Sequence, residues 1–395
     1  MTRIEVSMSA ARIAVRGLHG ASDDERMLET FARAAWSVLI EPGDSTAGRL
    51  IAAVGPIEAL GRAIVGDTSA LADLTEADLV TAMARWRPRC EAEGVAAAVN
   101  AARATGARLV VPGDRDWPGR LDDLGVHAPV VLWARGDLGC LAEDRPAVAI
   151  VGARAATGYG ELVAAEFGAQ LAAAGITIVS GAAYGIDGSA HRAALSAGGH
   201  TVALLAGGVD PPYPSGHAAL IDAIAASGAL LAETPCGSAP TKWRFLARNR
   251  LIAALSDATV VVEAGARSGS LNTAAHAAAL GRALGAVPGA ITSAASAGCH
   301  RIIREFDGVC VTSADEVKEL MGWSAPRAAA RDEDRTDDLS RVLDALSARV
   351  SRSIADLSRV SGLAETDVEA YIALAQLAGE AEERSDGWRR RLTAR

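Results

Sequence analysis

The sequence predicts an α/β protein: a doubly wound parallel sheet, preceded by an N-terminal helical module and followed by a C-terminal winged-helix-like domain. Three observations carry this. Short apolar, mostly β-branched runs alternate with helix-length segments between residues 147 and 321, as buried parallel strands and their crossovers do. Apolar residues before residue 105 recur at helical spacing. After residue 336, three helical patterns end in two short extended pieces around Ser385-Asp386-Gly387, a hairpin signal.

Composition sets the class. Of 395 residues, 50% are hydrophobic and 22% charged, as in an ordinary globular chain of two or three domains. Only 4% are aromatic, so the cores must be built from Ala, Val, Leu and Ile. The formal net charge of −9 argues against a generally basic surface but leaves room for a local basic patch, which is what phosphate contacts need. The five cysteines, Cys90, Cys140, Cys236, Cys299 and Cys310, include no C-x-x-C pair; this argues against a zinc site or disulfide framework and for a reducing compartment. The chain shows neither a secretory h-region nor an apolar run of membrane length, so a cytoplasmic protein without membrane contact is expected.

In chain order, residues 1–22 read as a disordered extension or an over-long start. Residues 23–104 read as a helical domain, either helix-hairpin-helix or sterile-alpha-motif-like or a plain helical cap. Leu28, Phe31, Ala35, Val38 and Leu39 keep helical period, Pro42-Gly43-Asp44 breaks it, and residues 50–60 read as helix, Gly turn, helix. Residues 105–321 form the sheet core with its N-terminal connector. The connector holds short strands at 108–112 and 129–134. Core strands are expected at 148–151, 176–180, 202–206, 230–233, 259–263, 284–287 and 309–312, with helices at 159–174, 188–197, 217–227, 245–255 and 270–280. A Ser-, Pro-, Ala-, Arg- and Asp-rich linker spans 322–335, and 336–395 is the winged-helix-like domain. Its candidate recognition helix, 365–378, carries Glu365, Asp367 and Glu369 and no Lys or Arg, which predicts a protein or dimer contact rather than the main DNA reader.

Ligands of such a sheet bind beyond the carboxyl ends of its strands. After the first core strand, Gly152-Ala153-Arg154 leads to Gly160 and a helix, offering backbone N–H groups and one cation to an anion. The spacing is not G-x-G-x-x-G and the second strand ends in Ser180, so no dinucleotide site is predicted. Beyond the second strand, Gly181 leads to Asp187 and His191, four residues apart; a helix cap and an internal hydrogen bond fit them better than a metal pair. Gly207, Gly208 and Asp210 begin a proline-stiffened loop. Residues 234–256 then contain no Asp or Glu, yet hold Lys242, Arg244, Arg248 and Arg250 interleaved with Trp243 and Phe245. Cations pair with phosphates and rings stack on bases, so this suits a single strand; core aromatics under a solvated basic face are the alternative. Ser268, Gly269 and Ser270, beyond Glu263, form an anion nest or an ordinary cap. No nucleophile elbow, Walker A loop or H-E-x-x-H occurs, and the strand-end carboxylates Asp187, Asp210, Glu233 and Glu263 fit capping or holding arginines better than acid–base work. No catalytic residue, metal or cofactor is predicted.

Val151-Gly-Ala-Arg154, Ser180-Gly-Ala-Ala-Tyr-Gly-Ile-Asp187 with Ala-His191, Leu205-Ala-Gly-Gly-Val-Asp210 with Tyr-Pro214, Arg248-Asn249-Arg250-Leu-Ile, Val262-Glu263-Ala with Ser268-Gly-Ser270, and Gly281-Arg with Ala-Val-Pro-Gly289 occur in one order. Together they resemble the core of the DNA-processing protein A (DprA/Smf) family. The resemblance implies an extended Rossmann-like sheet, a homodimer, single-stranded DNA binding and hand-over of that DNA to RecA, in natural transformation or related recombination, with no required catalysis. It implies that Arg154, Lys242, Phe245, Arg248, Arg250, Ser268, Gly269 and Ser270 touch DNA. Gly152, Gly181, Asp187, His191, Gly207, Gly208, Asp210, Asn249, Glu263 and Thr273 would then shape the anion pocket. The chain departs from the family pattern at Ala153, where a Ser is usual, at Leu246-Ala247 after Phe245, and at His300, where an Asn is usual. A Rossmann-like phosphoribohydrolase acting on nucleoside monophosphates is the alternative; Gly207-Gly208 and Pro288-Gly289 do not complete its Pro-Gly-Gly-x-Gly-Thr motif.

Overall fold

The computed structural model describes residues 3–21, 23–71, 73–323 and 338–391, and the chain divides into two units, residues 1–323 and 324–395. Residues 324–335, most of the expected linker, lie outside the described residues.

The first unit is built on a nine-stranded sheet: β1 Arg108–Val110, β2 Leu132–Gly136, β3 Ala147–Val151, β4 Thr177–Ser180, β5 Thr201–Leu204, β6 Ala229–Ala232, β7 Ala258–Val261, β8 Ala283–Ala286 and β9 Val309–Cys310. The order is β1-β2-β6-β5-β4-β3-β7-β8-β9. From β6 to β9 every neighbouring pair is parallel; β2 joins β6, and β1 joins β2, antiparallel. The chain winds from β3 out to β6, then returns to the other side of β3 as β7. The loops leaving β3 and β7 therefore part and open a crevice, the ligand position of doubly wound sheets.

Alternation along β3 sends side chains to both faces. Val148 and Ile150 share a core with Phe167 and Leu171 of helix Gly158–Ala173 and Ala190 of helix Ile186–Ser196. Ala149 and Val151 share the other with Leu251 and Ile252 of helix Lys242–Ala254 and Ala274 of helix Ser270–Ala279. Small residues set these distances: a Cβ on Gly168 would stand 2.8 Å from the Ala190 carbonyl oxygen.

The helical module comprises Met8–Val15, Asp24–Leu39, Ser45–Val65, Glu76–Trp86 and Ala92–Thr105. Gly55, at φ 79°, breaks Ser45–Val65 just before Pro56, giving the expected helix–turn–helix. Two expectations are corrected. The described part of 1–22 is not a free extension: Met8–Val15 is capped by Ser7, Ala11, Val15 and Leu18 are buried, and Leu18 O accepts the Leu109 N–H at 2.8 Å. Its apolar run was too short and too interrupted by Arg to read as a helix. Nor does residue 104 close a core. Trp133 of β2 is fully buried and donates Nε1 to Ser37 Oγ at 3.2 Å, so the helices and the sheet edge share one apolar cluster.

Among its described residues the second unit has three helices, Asp338–Ala345, Ile354–Ser361 and Glu365–Leu377, then a hairpin of β10 Ala381–Arg384 and β11 Gly387–Arg390. Val342, Leu357, Val368 and Ile372 form its own core. All five cysteines are free, and among the described residues no helix is long and apolar enough to cross a membrane.

Candidate functional site

The crevice is a groove of about 730 Å³ between the loops leaving β3 and β7 and the start of helix Lys242–Ala254. Its lining holds four cations, Arg154, Lys242, Arg248 and Arg267, against one carboxylate, Asp187. The rings of Tyr213 and Phe245 lie 5.7 Å apart between centroids. The Arg154 guanidinium sits 4.4 Å from the Phe245 centroid and that of Arg248 6.0 Å from it, within reach of the ring quadrupole.

Arg248 is held almost inside the protein, only 6% exposed. Its Nη1 donates to Leu204 O at 2.5 Å, while its buried Nε has no partner among the described residues. Burial pulls its pKa down to about 10, with Asp187 opposing and Arg154 adding, so it stays charged at neutral pH. Gly181 makes the room: a Cβ there would stand 2.0 Å from Arg248 Nη1.

Asp187 and His191 clamp the turn below. Asp187 Oδ2 accepts the N–H groups of Gly181 (3.1 Å) and Ala183 (3.4 Å), and burial pushes its pKa up against the pull of Arg248 and those amides. His191 Nε2 accepts the Ala182 N–H at 3.3 Å, and Ala182 has φ 55°. Thr201 Oγ1 gives its proton to Ile178 O (2.8 Å), so the 2.7 Å contact between His191 Nδ1 and Thr201 Oγ1 must carry the imidazole proton. The ring is therefore neutral, its pKa driven down to about 3 by burial first and by Arg248, His217 and Arg192 next. The two side chains hold one strained turn and do not pair with each other.

Across the groove, Ser268 Oγ and Ser270 Oγ lie 2.7 Å apart, and Gly269 caps helix Ser270–Ala279 without a side-chain partner. Asn249 Nδ2 donates to Gly269 O (3.3 Å) and Asn272 Oδ1 (3.2 Å), tying that turn to the arginine helix; Thr273 lines the floor.

Several sequence assignments move. The turn from Gly152 to Gly160 offers no free cradle at its helix: Glu263 Oε2 takes the Thr157 N–H (2.9 Å) and Oε1 the Thr157 hydroxyl (2.6 Å), so the protein's own carboxylate fills the anion position. From that loop Arg154 remains as the cation of the groove. Arg250 is not in the groove. Its Nη2 pairs with Glu233 (2.8 and 2.7 Å), its Nε donates to His127 O (3.0 Å) and its Nη1 to Ala247 O (3.0 Å). Two residues along a helix turn a side chain by about 200°, so Arg248 and Arg250 cannot share a face. Arg244 pairs with Glu41 at 2.9 Å, and Trp243 lines a neighbouring cavity. Asp210 accepts the Gly237 N–H with both oxygens (2.9 and 2.8 Å); with Gly207 and Gly208 it packs two loops together outside the groove lining. Sequence reasoning missed Arg267 and Tyr213. Arg267 precedes the Ser268 nest directly, a cation beside a helix N-terminus, and that was its available signal.

Fold and groove together define a Rossmann-like α/β protein with a cationic, aromatic-bearing crevice at the switch point of its sheet. The pattern of the family described as DNA recombination-mediator protein A matches residues 108–322. The chain is 43% identical to the DNA processing protein DprA of Mycobacterium tuberculosis over 385 residues, covering 92% of this chain and 95% of that one. The X-ray structure of DNA processing protein A from Streptococcus pneumoniae superposes with a TM-score of 0.59 at 32% identity, covering 73% of this chain and 95% of that one. That of Helicobacter pylori, described for its single-stranded DNA binding mode, gives a TM-score of 0.49 at 29% identity over 53% and 94%. The chain belongs to the DNA recombination-mediator protein A (DprA/Smf) family.

Proposed function

We propose that the groove binds single-stranded DNA and that the protein is a non-catalytic recombination mediator, covering incoming or exposed strands and helping to load RecA, as a cytoplasmic homodimer. One observation carries the DNA reading: Arg154 and Arg248 both lie within 6.0 Å of the Phe245 ring, with Tyr213 beside it. Phosphate partners and base platforms thus stand side by side, as binding to a single strand without sequence preference requires. A duplex keeps its base faces stacked and offers the rings nothing. Arg267 and the Ser268–Ser270 turn continue the anion-binding track. Family membership supports the mediator role. A non-catalytic role is supported by the strand-end acids, since Asp187, Asp210, Glu233 and Glu263 all accept internal hydrogen bonds.

Fluorescence anisotropy with single- and double-stranded oligonucleotides, at low and moderate salt, tests the reading. Preferential binding of the single strand, weakening steeply with salt, is expected; equal affinity for duplex overturns it. For the second step, RecA assembly on strands coated with single-strand-binding protein should accelerate when this protein is added. No acceleration overturns the mediator role alone.

A further inference from the structure

We infer that a strand lying in the groove continues past Lys242 onto the exposed ring of Trp243, in a second pocket built jointly by the helical module and helix Lys242–Ala254. The inference rests on the single-strand reading above. Trp243 is 63% exposed, in a chain with only 4% aromatic residues. It stands at a separate cavity of about 730 Å³ whose lining includes Pro42, Arg85, Pro88 and Arg89. Lys242 lines the first groove and Trp243 the second, so consecutive residues at one helix start serve both. A chain leaving the groove by Lys242 meets the indole next.

The charges suit that path. Both carboxylates of the second pocket are already engaged. Glu41 pairs with Arg244 (2.9 Å) and Arg89 (2.7 Å). Asp44 pairs with Arg85 (3.1 Å), accepts Trp86 Nε1–H (3.0 Å) and caps helix Ser45–Val65 through the Thr46 N–H (3.0 Å). Arg85 and Arg89 stay exposed beside the indole, so each keeps donors for a phosphate while its acid is neutralised. The pocket is also preformed. Arg244–Glu41 and the Arg250–Glu233 pair, whose Glu233 Oε1 also accepts the Gly43 N–H at 3.1 Å, fasten the helical module to this helix. An indole offers a stacking face to any base, and the adjoining guanidinium groups match the backbone. The module then lengthens the binding track beyond the sheet edge.

The test compares the full chain with its Trp243→Ala and Trp243→Phe variants on oligothymidylates of increasing length. Trp243→Ala should bind the shortest effective oligonucleotide as the parent does, yet lose roughly tenfold in affinity on long ones, and Trp243→Phe should recover most of that. An alanine variant matching the parent at every length, or losing equally at every length, overturns the second pocket while leaving the groove intact. A parent chain that binds no oligonucleotide overturns the groove and the pocket together.

Discussion

Arg250 and Glu233 face each other at 2.7 Å with both side chains 6% exposed, joining the arginine helix to the end of β6. The pair is internal, so its loss should read as instability. Arg250→Ala leaves a buried carboxylate without its cation and should cost about 3–5 kcal/mol in urea unfolding. The folded fraction should bind single-stranded DNA within about twofold of the parent. Lost affinity at unchanged stability would return Arg250 to the interface.

Arg154 is exposed and rests on Phe245. Arg154→Ala should cost under about 1 kcal/mol of stability. It should weaken single-strand binding for all sequences alike and reduce the slope of log affinity against log salt by about 1. Arg248→Ala should weaken binding too, but with a measurable stability loss, because Leu204 O loses its donor. A salt slope unchanged in Arg154→Ala would remove this residue from the phosphate track.

Glu263 is a positioning carboxylate for Thr157. Glu263→Ala should destabilise the protein by about 1–3 kcal/mol, since the hydroxyl and backbone N–H of Thr157, the N-cap of helix Gly158–Ala173, lose their charged acceptor. The parent chain should release no free base from a nucleoside monophosphate panel. Release that vanishes in Glu263→Gln would instead identify a catalytic acid.

Acid should unfold the protein partly through His191. Its ordinary pKa of 6.5 falls to about 3 in the fold because burial disfavours the imidazolium. As pH drops, the unfolded chain therefore takes the proton first. The stabilisation is full above pH 6.5 and is lost progressively between 6.5 and 3, by about 1.4 kcal/mol per pH unit. Urea unfolding at pH 7.5, 5.5 and 4.5 should show this slope in the parent and a correspondingly shallower one in His191→Gln. Identical slopes would mean that His191 does not govern the acid limb.

Helix Glu365–Leu377 carries three acids and no base, in a unit with its own core. A chain ending at Trp323 should keep its affinity for single-stranded DNA within about twofold by anisotropy. A folded truncation without affinity would make the second unit the main DNA reader.

The sequence by itself determined the parallel sheet and the region of its site. Short β-branched strands, Gly turns and helix-length intervals are local patterns, and the strand-end rule then places Arg154, Phe245, Arg248 and Ser268–Ser270 along one sheet edge. Only the tertiary structure decided which cations face the groove and which are neutralised inside. Arg250 meets Glu233 from 17 residues away, Thr157 meets Glu263 from 106, and Arg244 meets Glu41 from 203. The same holds for β1 and β2, which reach the sheet edge antiparallel and outside the strand–helix alternation. Secondary structure follows from the period of neighbouring residues, whereas a charge is spent or free according to a partner that the chain brings in only by folding.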